Sequence, residues 1–135
     1  MTSVSGGGPS WGRTIAYWLT TAVMIFVMGS GGVADTMRIP AVTEGMSHLG
    51  YSTYFCVILG VWKVLAAVAF VIPRTPRLKE WAYAGTFFDL TGAAASHFAV
   101  GDPPLKVVAP LIFVLITVAS WALRPPSRRL AGPTF

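Results

Sequence analysis

Apolar residues fall in four long blocks, at about residues 14–33, 53–72, 81–100 and 107–123, and the stretches between them collect glycine, proline and charge. Each block holds 17–20 residues. A helix of that length covers roughly 30 Å, the thickness of a bilayer's hydrocarbon core. Helices of a soluble bundle carry a stripe of Lys and Glu on the outer face, and none of these blocks does. In lipid the backbone must satisfy its own hydrogen bonds, so each block is expected to be helical. The fold class that follows is all-α: a four-helix transmembrane bundle with both termini on one side.

The connections refine this picture. Residues 35–52 form the longest one, and Pro40 followed by Ala41, Val42, Met46 and Leu49 predicts a short amphipathic helix, lying on the outer surface or folded back as a lid. Gly29-Ser30-Gly31-Gly32 is expected to weaken and end the first helix. The run Pro73-Arg74-Thr75-Pro76-Arg77 is short, which makes its flanking helices antiparallel neighbours. Gly101-Asp102-Pro103-Pro104 is a stop signal. Residues 1–12 read as a flexible tail, 13–123 as the membrane domain and 124–135 as a flexible basic tail. The first block is too long for a cleaved signal peptide and lacks a small-x-small cleavage site. Neither end carries a lipidation motif.

Composition agrees with one membrane domain. The 135 residues are 54% apolar and only 11% charged, against about 25% in soluble domains. The mean hydropathy is +0.65. A net charge of +5 suggests nucleic acid until the cations are mapped. Arg13, Arg74, Arg77, Lys79, Arg124, Arg128 and Arg129 fall on one side of the expected bundle, Arg38 and Lys106 on the other, and Lys63 inside a helix. That is the positive-inside distribution: a multi-pass protein of the cell membrane, both termini cytoplasmic, its basic residues meeting anionic headgroups and no nucleic acid. Glu80 and Trp81 belong at the inner interface, where Trp11 and Trp121 complete an aromatic belt. A lone cysteine, Cys56, excludes an intrachain disulfide.

The candidate chemistry lies with residues that do not belong in lipid. Lys63 and Asp89 sit near the centres of the second and third blocks. A lone charge at that depth costs at least about 2.5–3.5 kcal/mol, so the two are expected to pair across neighbouring helices. Cys56, Gly60, Lys63 and Ala67 share one stripe; Gly85, Asp89, Gly92, Ala93 and Ser96 share another. Small residues allow close helix approach or leave a cavity. His97 lies two turns outward from Asp89 and Cys56 two turns outward from Lys63. With Asp35, Glu44, His48 and Asp102 they suggest an acidic outer vestibule. Lys63, Asp89 and His97 are the candidate catalytic residues. Asp35, Glu44, His48, Cys56, Trp62, Gly92, Ser96 and Asp102 are the candidate ligand-binding or vestibule residues. Arg74, Arg77, Lys79 and Glu80 are the candidate contacts to a partner or to lipid. No metal site is expected and haem is the weaker cofactor expectation, because HxxxH and HExxH spacings are absent. The plain alternative for the Lys–Asp pair is that it only fixes helix register.

From Gly60-Val61-Trp62-Lys63 through Ile72-Pro73-Arg74 and Leu78-Lys79-Glu80-Trp81 to Phe88-Asp89-Leu90-Thr91-Gly92 and Ser96-His97, the chain resembles the DoxX-like family of small four-helix membrane proteins. The resemblance is strongest over residues 60–102. It implies a four-helix membrane bundle. Some members of that family are subunits of thiosulfate:quinone oxidoreductases, and others look like membrane partners in redox complexes. The positions that carry over are Lys63, Glu80, Asp89 and His97. The solitary Cys56 departs from what sulfur oxidation needs.

Three functions follow as expectations. The first is a redox-linked subunit that binds quinone or another hydrophobic small molecule beside the Lys–Asp pair, with His97 as the route outward. The second is a non-catalytic scaffold that recruits a soluble enzyme or redox partner through the basic loop and tail. The third is a small proton-coupled transporter, which with four helices and no internal repeat needs a homo-oligomer.

Overall fold

The computed structural model describes residues 11–129, apart from the Ser127 side chain. The chain forms α1 (Trp11–Met37), α2 (Pro40–His48), α3 (Thr53–Val71), α4 (Pro76–Ala99) and α5 (Pro104–Ala122), followed by a 3-10 turn at Pro126–Arg128. No strand occurs among the described residues. α1 packs on α3 and α5, and α4 packs on α3 and α5. The contacts Gly29–Ala67, Lys79–Ala69 and Tyr83–Ser120 fix neighbouring long helices as antiparallel. The short helix α2 rests on α3 and on the end of α1.

α1, α3 and α5 are long and apolar enough to cross a membrane. α4 has the length, 24 residues, but not the hydropathy, because Asp89, His97, Tyr83, Gly85, Thr86, Thr91 and Gly92 dilute its apolar residues. The sidedness of burial explains how such a helix is accommodated. On α1 the buried positions are Tyr17, Thr21, Met24, Met28, Gly32 and Asp35, while Leu19 and Phe26 face out. On α5 the buried positions are Val114, Thr117 and Ser120, while Leu115 is 70% exposed. Thr21, Gly32, Asp35, Thr117 and Ser120 turn inward while Leu19, Phe26 and Leu115 face out, as a lipid solvent allows. The apolar centre is Met24, Met28, Phe70, Tyr83, Leu90 and Val114 with Ala67, Ala69 and Ala82. Within it Ser120 Oγ lies 2.7 Å from Thr21 Oγ1 and 2.8 Å from the Tyr83 hydroxyl, a buried network that ties α1, α4 and α5.

Two expectations are corrected, one about the first helix and one about the segment after α5. The glycine run does not end it; α1 continues to Met37 and carries Asp35 out of the external segment. The tertiary contact described below offsets the helix-weakening cost of about 1 kcal/mol per glycine. Residues 124–129 also do not form a free tail. Arg124 is buried and ion-paired to Glu80 at 2.7 Å, and Arg128 donates to the Phe70 carbonyl at 3.0 Å. The remaining tail residues, 1–10 and 130–135, lie outside the described ones.

The ends of α2 and α4 close alike. Gly50 and Gly101 adopt the left-handed conformation, with φ of 88° and 77°, as a glycine C′ residue does in a Schellman cap. The residue that follows then donates back into the last turn: Tyr51 to the Met46 carbonyl at 2.9 Å, and Asp102 to the His97 carbonyl at 3.0 Å. These caps bring Tyr51 and Asp102 back over their own helix ends.

Candidate functional site

The first site-building contact is the seam between α1 and α3. A Cβ at Gly32 would lie 2.8 Å from the Gly60 carbonyl oxygen and 2.9 Å from Lys63 Cβ; one at Gly60 would lie 2.6 Å from the Thr36 nitrogen. Two glycines therefore let the backbones touch. One turn on, Asp35 is held against α3, where its carbonyl accepts a contact of 3.5 Å from Cys56 Sγ. Lys63 Nζ lies 2.9 Å from Asp35 Oδ2 and 3.9 Å from Asp89 Oδ2. The expected Lys63–Asp89 pair is present at the longer distance, and the closer partner is Asp35. Depth counting missed this because it ended α1 too early. Lys63 is the eleventh of the 19 residues of α3, so it lies about 12–15 Å from either helix end.

The opposite face of α3 is not sealed. Between α3 and α4 runs a cleft of about 660 Å³, walled by Trp62, Leu65, Trp81 and Phe88 and floored by Ala66, Ala69, Ala82, Gly85 and Met28. Lys63 and Asp89 stand at its head, and Thr86 lines it one turn below. The exposed rings of Trp62, Trp81 and Phe88 place its mouth on the outer surface of the helices. Cβ atoms added at Gly85 and Gly92 would meet nothing within 4 Å. The small-residue stripe of α4 thus leaves space, and close approach is reserved for Gly32 and Gly60.

At the far end of α4, Asp102 bridges two imidazoles. Its Oδ1 lies 2.7 Å from His48 Nε2, and its Oδ2 lies 2.6 Å from His97 Nδ1. These hydrogen bonds, His97's first, hold the Asp102 carboxyl below the usual carboxylate range. The Tyr51 hydroxyl meets Ser96 Oγ at 2.6 Å, so α2 is pinned to α4 twice. The vestibule residues accordingly divide. Asp35 and Cys56 join Lys63; His48, His97, Ser96 and Asp102 form the outer clamp; Trp62 lines the cleft. Glu44 is exposed on α2. His97 is bonded to Asp102 rather than to Asp89, so the three candidate catalytic residues are not brought together. Among the described residues no cluster of His, Cys, Asp and Glu could hold a metal.

At the basic end Lys79 is not available to headgroups. It is 1% exposed. Its ammonium donates to the Ala69 carbonyl at 2.8 Å, to the Ile72 carbonyl and to Thr75 Oγ1 at 3.3 Å. Starting α4 at Pro76 puts Lys79 in its first turn, against the end of α3, where a cation satisfies the last carbonyls and the helix dipole. Arg13 does the same for α5, donating to the Ala122 carbonyl at 2.9 Å. Arg74 and Arg77 remain exposed, and Glu80 accepts from Arg124 and from Trp121 Nε1.

Two features escaped sequence reasoning, the Gly32–Gly60 contact and Thr86. Thr86 stands three residues before Asp89, hence on the same helix face, and that spacing is the signal that would have found it. A family model described as the DoxX-like family matches residues 19–120, which includes both clusters and the whole cleft. No curated protein and no solved structure matches the chain.

Proposed function

The chain belongs to the DoxX-like family, and from that premise we propose that it is a four-span membrane protein, both termini cytoplasmic, that binds quinone or a similar hydrophobic small molecule between α3 and α4 as a redox-linked subunit. The observation that carries this is the cleft itself. Its volume of about 660 Å³ lies within the roughly 300–1,000 Å³ of small-molecule sites, which are apolar with a few polar groups. Here the polar groups are Lys63, Asp89 and Thr86, gathered at one end of an aromatic wall. Spanning by α4 is supported by its length and by its packing against α3 and α5. The orientation is supported by the seven cations at the end shared by the start of α1 and the end of α5.

The test is a solvent extract of the detergent-purified protein analysed by mass spectrometry, with absorbance before and after reduction. The expected result is a stoichiometric quinone or related apolar molecule in wild-type protein, lost in Gly85→Leu, whose side chain would grow into the open cleft. An extract holding only bulk phospholipid, unchanged by Gly85→Leu, would sink the reading.

The exposed Arg74 and Arg77 favour a second reading, a scaffold for an acidic soluble partner. It predicts that changing both arginines to Gln releases a co-purifying protein while the cleft's contents stay.

A further inference from the structure

The charges and hydroxyls at the head of the cleft bear on which ligand chemistry fits there. Asp35, Lys63 and Asp89 carry two potential negative charges against one positive. No other charged side chain is present on α5 from Val107 to Leu123 or on α3, and on α1 only Arg13 stands apart, at the basic end. Cys56 adds only a thiol. A full unit of negative charge at mid-helix is costly in a low-dielectric surrounding, and one proton removes it. Lys63 is committed to Asp35 at 2.9 Å and stands 3.9 Å from Asp89, so the proton belongs on Asp89, the less well-paired carboxylate.

Thr86 supplies the second observation. Thr20, Thr36, Thr91 and Thr117 each donate to the carbonyl four residues earlier, at 2.7–2.8 Å. Thr86 does not. Its hydroxyl is buried and has no hydrogen-bond partner among the described residues, and the residue itself lines the cleft. A buried hydroxyl left unpaired is costly, and a ligand acceptor would relieve that cost. Three residues apart on one helix face, Thr86 and Asp89 both line the cleft, so a Thr86 hydroxyl turned toward it and a protonated Asp89 would offer two O–H donors to one ligand. The matching ligand group is an acceptor. Phospholipid headgroups lie at the membrane surface, about 12–15 Å from Lys63, so the acceptor must be carried into the cleft by the ligand.

We propose that the head of the α3/α4 cleft is a carbonyl-binding subsite, in which Asp89 is held protonated and, with Thr86, donates hydrogen bonds to the carbonyl oxygen of a hydrophobic ligand. This rests on the cleft being a binding site. It narrows the ligand to a carbonyl compound, a quinone or an apolar ketone, and sets aside cationic amphiphiles and bare hydrocarbon chains.

The experiment measures quenching of Trp62 and Trp81 fluorescence in detergent-purified protein. The probes are decylubiquinone and decylbenzene, which has a ring and the same chain but no carbonyl. Wild-type protein should bind decylubiquinone about tenfold or more tightly than decylbenzene, the scale of a tenfold change per 1.4 kcal/mol for the two hydrogen bonds. Asp89→Asn keeps a neutral donor, so it should retain binding within about threefold. Asp89→Leu and Thr86→Val should each lose about tenfold. Loss in Asp89→Asn equal to that in Asp89→Leu would overturn the proposal, because a carboxylate would then be the required group. Equal binding of decylbenzene would overturn it too, since the cleft would then hold hydrocarbon alone. Should the Asp89 variants fail to fold, Thr86→Val decides: unchanged decylubiquinone binding overturns the proposal. Gly85→Leu separates the two claims. If it leaves quenching untouched, the cleft is not the binding site and the broader reading fails; if it abolishes quenching while the donor variants do nothing, only the carbonyl subsite fails.

Discussion

The two faces of α3 use the same small residues to opposite ends. Toward α1, Gly60 meets Gly32 with the backbones in contact and Lys63 closed onto Asp35. Toward α4, Ala66, Ala69, Ala82 and Gly85 line the cleft. Composition does not distinguish the faces. What differs is the neighbour: Gly32 meets Gly60 across the seam, whereas the exposed rings of Trp62, Trp81 and Phe88 rim the cleft. One face is a closed seam that holds the Lys63–Asp35 pair, and the other is an open cleft.

The sharpest way to break the comparison is to add the same methyl group on each side. Gly60→Ala puts a Cβ within 2.6 Å of the Thr36 nitrogen and 2.7 Å of the Gly32 oxygen, both backbone atoms that cannot swing away. Such overpacking costs about 3 kcal/mol or more when the backbone must move. Gly85→Ala meets nothing within 4 Å and gains up to about 1 kcal/mol of helix propensity. Unfolding of the two variants in mixed detergent should therefore shift in opposite directions. Destabilisation of both by the same amount would show that the two faces do not differ.

Next in size is the charge at the seam. Lys63→Met leaves Asp35 with an uncompensated charge and should cost about 3 kcal/mol, the scale of a broken buried pair. Adding Asp35→Asn should recover most of that loss in the same unfolding assay. Recovery by Asp89→Asn instead would make Asp89, not Asp35, the ionised partner and would move the proton to the wrong carboxylate.

How much of this was legible follows the same division. The long apolar runs of α3 and α5 announced themselves, and His48, His97 and Asp102, assigned from the sequence to one outer region, come together there, with Asp102 within hydrogen-bond distance of both imidazoles. Asp35 was hidden because local propensity ends a helix at four small residues, and only the partner helix shows why the chain continues. Lys79 reads as one of several loop cations. Its burial depends on where α4 starts relative to the last carbonyls of α3, a relation between two elements that no single segment carries. The cleft was half legible: small residues on facing stripes announce either contact or space, and the choice is made by side chains elsewhere.

Lys79 offers a smaller, distinct effect at the seam-free end of α3. Lys79→Met keeps the volume and removes the donor from the Ala69 and Ile72 carbonyls. Leaving such groups unpaired costs about 1–3 kcal/mol, and the last turn of α3 should then exchange its amide hydrogens faster than its centre. Arg74→Gln, exposed on the same loop, should change neither, which separates a cap from a generic loss of charge.

The smallest expected effect belongs to the outer clamp, which joins α2 to α4 far from both faces of α3. Asp102 is a carboxyl whose folded value is depressed by its hydrogen bonds to His97 and His48. A group of that kind contributes stability that is fully present above its ordinary value of 3.8 and is lost as pH falls through the lower folded value. Asp102→Asn should therefore melt below wild type at neutral pH, with the difference shrinking only under strongly acidic conditions. The loss should be confined to α2, read as faster proteolysis or amide exchange between Pro40 and His48, while ligand in the cleft stays bound. Loss of the cleft's ligand in Asp102→Asn would mean instead that the outer clamp and the cleft are one coupled unit, and that the open face of α3 depends on the lid above it.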